Sequence, residues 1–160
     1  MGQKSSPAPY ARRYSILVAL MLSGIMGPID ASIVNVILPT ITEFFGVHIS
    51  TAQWVSMAYL LVISSLLLSY GRVGDIWGYR KVYLFGIAGF TVASGLCGLA
   101  PTVEALILLR AFQGLAAGMM TAVPFAIITA SFPPTERGRA IGINAISVSV
   151  GLAVGPSLGG

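Results

Sequence analysis

Five apolar runs follow one another along this chain, each near the roughly 20 residues that a helix needs to cross a hydrocarbon core about 30 Å thick. They cover about Tyr14–Leu38, Thr51–Tyr70, Val82–Ala100, Thr102–Ala130 and Arg139–Gly160, with only short polar turns between them. In a bilayer core no water serves the backbone, so a span of this kind has to satisfy its own N–H and C=O groups and becomes a helix. Composition agrees: charged residues make up 9% of the 160 residues and apolar ones 56%, against about 25% charged in an ordinary soluble domain. The expected fold class is therefore all-α, a polytopic membrane protein. A single Cys97 excludes a disulfide framework and a cysteine-based zinc site.

Local signals set the expected boundaries. Pro39 closes the first run and Pro101 the third, Ser50-Thr51-Ala52-Gln53 offers a capping box to the second, and Pro124 kinks the fourth. Trp54 and Tyr70 bracket the second run as interfacial aromatics. Residues 1–13 form an N-terminal tail and residues 14–160 a partial transmembrane bundle. The fifth run is still apolar at Gly160, which reads as the N-terminal fragment of a longer protein.

Charge gives the expected orientation. Lys4, Arg12 and Arg13 precede the first run, Arg72, Arg80 and Lys81 lie between the second and third, and Arg137 and Arg139 between the fourth and fifth. If every run crosses, all eight fall on one side, and the positive-inside rule makes that side cytoplasmic. The N-terminus is then cytoplasmic, in a multi-pass protein of the cell (plasma) membrane. The sequence Met1-Gly2-Gln3-Lys4-Ser5-Ser6 fits a myristoylation pattern, but five spans make an acyl anchor redundant. His48 is expected to be solvated in an outer turn, and Cys97 to be a small packing residue.

Two charges lie deep inside the runs. Asp30 and Arg110 each cost roughly 2.5–3.5 kcal/mol at a helix centre on insertion scales, which by default marks function. At about 1.5 Å per residue, both lie roughly 12 Å from the same end of their spans. Two readings of this placement stand side by side: a purely structural ion pair or snorkelling to the interface, against a protonatable carboxylate tuned by a neighbouring guanidinium. Asn35 is either a cavity residue or an interhelical hydrogen-bonder.

The remaining motifs carry a resemblance. Gly71, Asp75, Gly78, Arg80 and Lys81, in GRVGDIWGYRK, resemble the loop signature between the second and third helices of the major facilitator superfamily. Arg110-Ala-Phe-Gln113-Gly114 resembles its fourth-helix R-x-x-Q-G motif. The run from Gly151 through Gly155 and Pro156 to Gly159 and Gly160 resembles the fifth-helix antiporter motif, G-x-x-x-G-P-x-x-G-G. The segment from Asp30 through Asn35 to Pro39 is similar to the first-helix motif of the fourteen-helix drug:proton antiporter branch. Ile76 and Tyr79 stand where the loop signature often has basic residues.

The resemblance implies five transmembrane helices of a six-helix N-terminal half, with the sixth helix and the C-terminal half of the same transporter lying beyond this chain. It implies proton-coupled export of small lipophilic or cationic compounds such as drugs, with Asp30, Arg110 and Gln113 in transport and coupling. Gly71, Asp75, Gly78, Arg80 and Lys81 would form a cytoplasmic latch, and Gly151, Gly155, Pro156 and Gly159 the antiporter motif. The implied partners are protons, a small-molecule substrate and the lipid bilayer, with no nucleic acid, no cofactor and no metal. The alternatives are an exporter of a metabolite, lipid or siderophore, or a truncated, non-transporting membrane fragment. No nucleophile beside a base and no metal-ligand spacing stands in the runs, so an enzyme is not expected.

Overall fold

The computed structural model describes residues 8–160, with side chains from Arg13 onward. Six helices follow in order: α1 (Ala8–Phe45), α2 (Ile49–Trp77), α3 (Tyr79–Cys97), α4 (Val103–Ala122), α5 (Pro124–Ser131) and α6 (Pro134–Gly159). Pro124 starts α5 directly below α4, so the two make one broken rod. The Met1-to-Ser6 pattern and Lys4 of the expected tail lie outside the described residues, whereas 8–13 already belong to α1.

Several boundaries differ from expectation: α1, α2 and α6 are longer, whereas α3 stops at Cys97 and the fourth run divides into α4 and α5. Pro39 lies inside α1, which runs on to Phe45. A proline removes one backbone bond and crowds the preceding turn, and the flanking turns of a 38-residue helix carry on across that gap. The second helix begins at Ile49 with His48 as N-cap and no side-chain cap, so the Ser50 box is not used. The expected loop from Gly71 to Lys81 is helical except for Gly78, because nothing before Gly78 breaks the ladder. Gly78 then turns the chain at φ +89°, a left-handed conformation that glycine adopts without a Cβ penalty.

Contacts between rods fix their directions. Gly151 lies against the Ile25 carbonyl and Gly155 against Ser32, so α1 and α6 run parallel. Gly114 meets the Tyr59 backbone and Gly118 the Tyr70 ring, so α2 and α4 also run parallel. Gly86 faces Met119 and Met120 while Gly89 faces Ala116, so α3 runs antiparallel to α4. Asn35 pairs with Ser56, and Gly27 lies nearest Tyr59, which makes α1 and α2 antiparallel. The rods therefore alternate up and down. This gathers Arg13, Arg72, Arg80, Lys81, Arg137 and Arg139 at one end of the bundle. At that end Arg13 pairs with Glu136 at 3.5 Å.

The pattern of burial is that of a protein solvated by lipid. Leu68 is 89% exposed and Phe85 66%, yet Arg110 is 2% exposed and Gln113 fully buried. Apolar side chains face out and polar ones face in, the reverse of a water-soluble helix bundle. Four stretches are long and apolar enough to cross a membrane: Arg13–Phe45, Ile49–Trp77, Val103–Ser131 and Pro134–Gly159. The 19-residue α3 stands apart, because Arg80 and Lys81 occupy its first turn and shorten its apolar part.

Candidate functional site

The arrangement starts with α4. Thr102 caps it by accepting a hydrogen bond from the Ala105 amide at 3.2 Å, and Glu104 in the first turn suits the positive end of the helix dipole. Two turns on, Arg110 and Gln113 project from one face, since residues three apart are neighbours on a helix. Opposite them, α1 presents Asp30. The Arg110 Nη1 donates to Asp30 Oδ2 at 2.6 Å, and the Gln113 amide donates to Asp30 Oδ1 at 3.1 Å. The same Arg110 Nη1 also donates to Gln113 Oε1 at 2.5 Å, which closes a three-residue ring.

Two neighbours complete the cluster. Tyr59 on α2 lies under the guanidinium, with the Arg110 Cζ 4.9 Å from its ring centre. The negative ring face attracts the cation, and more so when water is excluded. Cys97 at the end of α3 points its thiol toward Gln113 Oε1 at 3.8 Å. Arg110 Nε and Nη2 have no hydrogen-bond partner, so Asp30, the Gln113 carbonyl oxygen and the ring face are what hold the charge. The Asp30 side chain is 17% exposed against 2% for Arg110. A cavity of about 350 Å³ lined by both reaches Phe44, Phe45 and Ala100 at the end away from the basic cluster. The carboxylate is thus the accessible member of the pair, and the guanidinium the fixed one.

The other expected site residues fall into separate groups. Gly71 and Asp75 lie on the last turns of α2, Gly78 at the turn, and Arg80 and Lys81 on the first turn of α3. Asp75 accepts a hydrogen bond from the Tyr79 hydroxyl, and among the described residues no salt bridge joins it to Arg80. That bond raises the Tyr79 phenol above its ordinary pKa. Gly74 makes room for the Tyr79 ring, since a Cβ there would lie 2.5 Å from it. Gly151, Gly155 and Gly159 all face α1, where a Cβ on Gly155 would come within 2.4 Å of the Ser32 Cβ. Pro156 sits inside α6 without ending it. Asn35 accepts from Ser56 at 3.0 Å and ties α1 to α2.

Sequence reasoning missed Tyr59 and the placement of Cys97. A tyrosine in mid-span, away from the interfacial positions of Trp54 and Tyr70, was the available signal for the first.

An all-helical bundle with an apolar exterior and an acid–base pair buried between two of its helices defines a polytopic membrane protein. The chain belongs to the Major Facilitator Superfamily, whose family model matches residues 20–160. It is 35% identical over 149 residues to the riboflavin transporter RibZ of Clostridioides difficile, covering 93% of this chain and 33% of that protein. It is 40% identical over 145 residues to the multidrug resistance protein Stp of Mycobacterium tuberculosis, covering 90% of this chain and 27% of that one. The crystal structure of a bacterial homologue of the human lysosomal transporter Spinster, inward-facing and occupied, superposes with a TM-score of 0.78 at 25% identity. That superposition covers 87% of this chain and 30% of the Spinster homologue. The chain spans about a third or less of the length of these relatives.

Proposed function

We propose that this chain supplies the first membrane helices of a transporter that exports small lipophilic or cationic compounds in exchange for protons. The observation that carries the reading is the contact of Asp30 with Arg110 and Gln113 beside an open cavity. A carboxylate held by a fixed guanidinium is stable when charged, and a substrate or a proton that reaches it through the cavity competes for the same oxygens. A cation arriving there favours the charged form and releases the proton, which couples the two movements. The multidrug resistance relative is consistent with drugs as substrates.

The family's activity is transport rather than catalysis, and the whole activity needs a second half of the same transporter as rocking partner. The basic end of the bundle faces the cytoplasm and the protein resides in the cell membrane, with α3 as the fifth crossing. In this scheme the Gly71–Lys81 segment is the cytoplasmic latch, and the Gly151–Gly159 face of α6 is the packing seam of the antiporter motif. A metabolite exporter is the second reading, favoured by the riboflavin transporter relative. The test is uphill efflux in the complete transporter: Asp30→Asn abolishes it under the proposal, because an amide carries no proton, and normal uphill efflux would refute the proposal.

A further inference from the structure

The cavity beside Asp30 reaches Phe44, Phe45 and Ala100, away from the basic end of the bundle. A proton loaded there and delivered to the basic end needs a second path, and a series of polar side chains marks one. On α1, Ser23, Gly27 and Asp30 share a face, four and then three residues apart. Ser23 stands about 10 Å along the helix from Asp30, on the side of the basic end, at about 1.5 Å per residue. Tyr59 stands between them. Its ring faces the Arg110 guanidinium at 4.9 Å, and its hydroxyl lies 3.5 Å from where a Cβ on Gly27 would be. A second cavity, of about 350 Å³, is lined by Tyr59 and Ser23 together with Thr121 and Asn144.

That cavity suits water. Its four polar side chains come from four helices, and the Asn144 Oδ1, on a residue only 7% exposed, has no hydrogen-bond partner. A buried water needs about two to four polar partners, which these groups supply. At about 2.8 Å per hydrogen bond, Tyr59 and about two waters bridge the distance from Asp30 to Ser23. Ser23 then meets Tyr83 of α3 in a buried hydrogen bond between hydroxyls. The Ser23 hydrogen has two acceptors to choose from, the Ala19 carbonyl at 2.7 Å and the Tyr83 oxygen. When it turns to Ala19, Tyr83 donates to Ser23. When it turns to Tyr83, the Tyr83 hydrogen is freed toward the groove that this residue lines with Arg80 and Ser131. A hydroxyl that accepts and donates at once passes a proton on without keeping a charge. We infer that Ser23 and Tyr83 relay the proton between Asp30 and the basic end of the bundle, through water in this cavity. Each transfer breaks one O–H bond and forms another. One proton leaves the Asp30 carboxyl and one reaches solvent beyond Tyr83, so the carboxylate is left charged and both hydroxyls are restored.

The inference rests on the coupling role proposed for Asp30. Its test uses the complete transporter in liposomes with an acidic lumen and a trapped pH dye, where entry of added ethidium sends protons out. Ethidium exchange at equal pH is measured beside it and reports folding and binding. Tyr83→Phe and Ser23→Ala are each expected to slow ethidium-driven proton release at least about tenfold, while exchange stays within about twofold. The double variant is expected to be no slower than the slower single one, since one broken link interrupts the path. Exchange that falls in step with proton release in either variant overturns the relay, because the Ser23–Tyr83 bond then only holds α1 to α3. So does normal proton release in either variant when Asp30→Asn has lost it. Proton release by Asp30→Asn at the wild-type rate overturns the coupling role of Asp30 and the relay with it, so the two failures are told apart by that one variant.

Discussion

Arg110 on α4 and Asp30 on α1 meet at 2.6 Å although eighty positions separate them. The ring closed by Gln113 is the only place among the described residues where opposite charges pair in the interior of the bundle. Burial gives this contact its energetic weight. Removing one partner of a buried pair costs about 3–5 kcal/mol, whereas replacing both is close to neutral. Arg110→Met is therefore expected to destabilise the bundle by about 3 kcal/mol. The double variant Asp30→Asn with Arg110→Met is expected to recover most of that loss. Thermal unfolding of the four members of this cycle in detergent checks the non-additivity, and strictly additive values would show that the two residues do not act as a unit.

The seam between α1 and α6 gives a steric prediction. Gly155→Ala puts a methyl group into the Ser32 side chain, and overpacking of that kind costs about 1–3 kcal/mol. Gly142→Ala, on the same helix with nothing within 4 Å of its Cβ position, is expected to be neutral or slightly stabilising. Comparing the melting temperatures of the two variants separates close packing from a general intolerance of α6 to substitution.

Much of this architecture is legible in the sequence for simple reasons. Asp30 and Arg110 are the only charges deep within the runs, so counting residues from the span ends put them at one depth, and the fold brings them into contact. The glycines four apart in α4 and α6 share one helix face each, but the sequence does not say that Gly114 faces α2 and Gly155 faces α1. What the sequence concealed is where helices stop. Gly71–Trp77 looks like a polar loop by composition, yet its residues continue α2, and only the positive φ of Gly78 ends it. Pro39 resembles a stop yet lies inside α1, while Pro124, of the same residue type, does divide two helices. Tyr59 was hidden because an aromatic in an apolar run looks like wall until a cation is seen to lie on its face.

The turn after α2 is expected to act in switching rather than folding. Asp75→Asn and Tyr79→Phe each remove part of the Asp75–Tyr79 contact. In the complete transporter each is expected to lower the initial transport rate several-fold while membrane insertion stays normal. Wild-type rates in both variants would reduce this segment to a topology signal.

Orientation is checked with introduced thiols in a Cys97→Ala background. Glu43→Cys lies at the end away from the basic cluster and Gly138→Cys within it, both at exposed positions. An impermeant maleimide is expected to label Glu43→Cys in intact cells and Gly138→Cys only after lysis. The reverse pattern would invert the proposed orientation.

The central claim is that the Asp30 carboxylate carries the coupled proton, and one pair of assays on Asp30→Asn tests it most directly. In proteoliposomes of the complete transporter, an imposed proton gradient drives substrate accumulation, while substrate exchange at equal pH reports folding and binding without coupling. The account predicts that Asp30→Asn retains exchange at a measurable rate and loses gradient-driven accumulation entirely. Accumulation by Asp30→Asn at the wild-type level would contradict it.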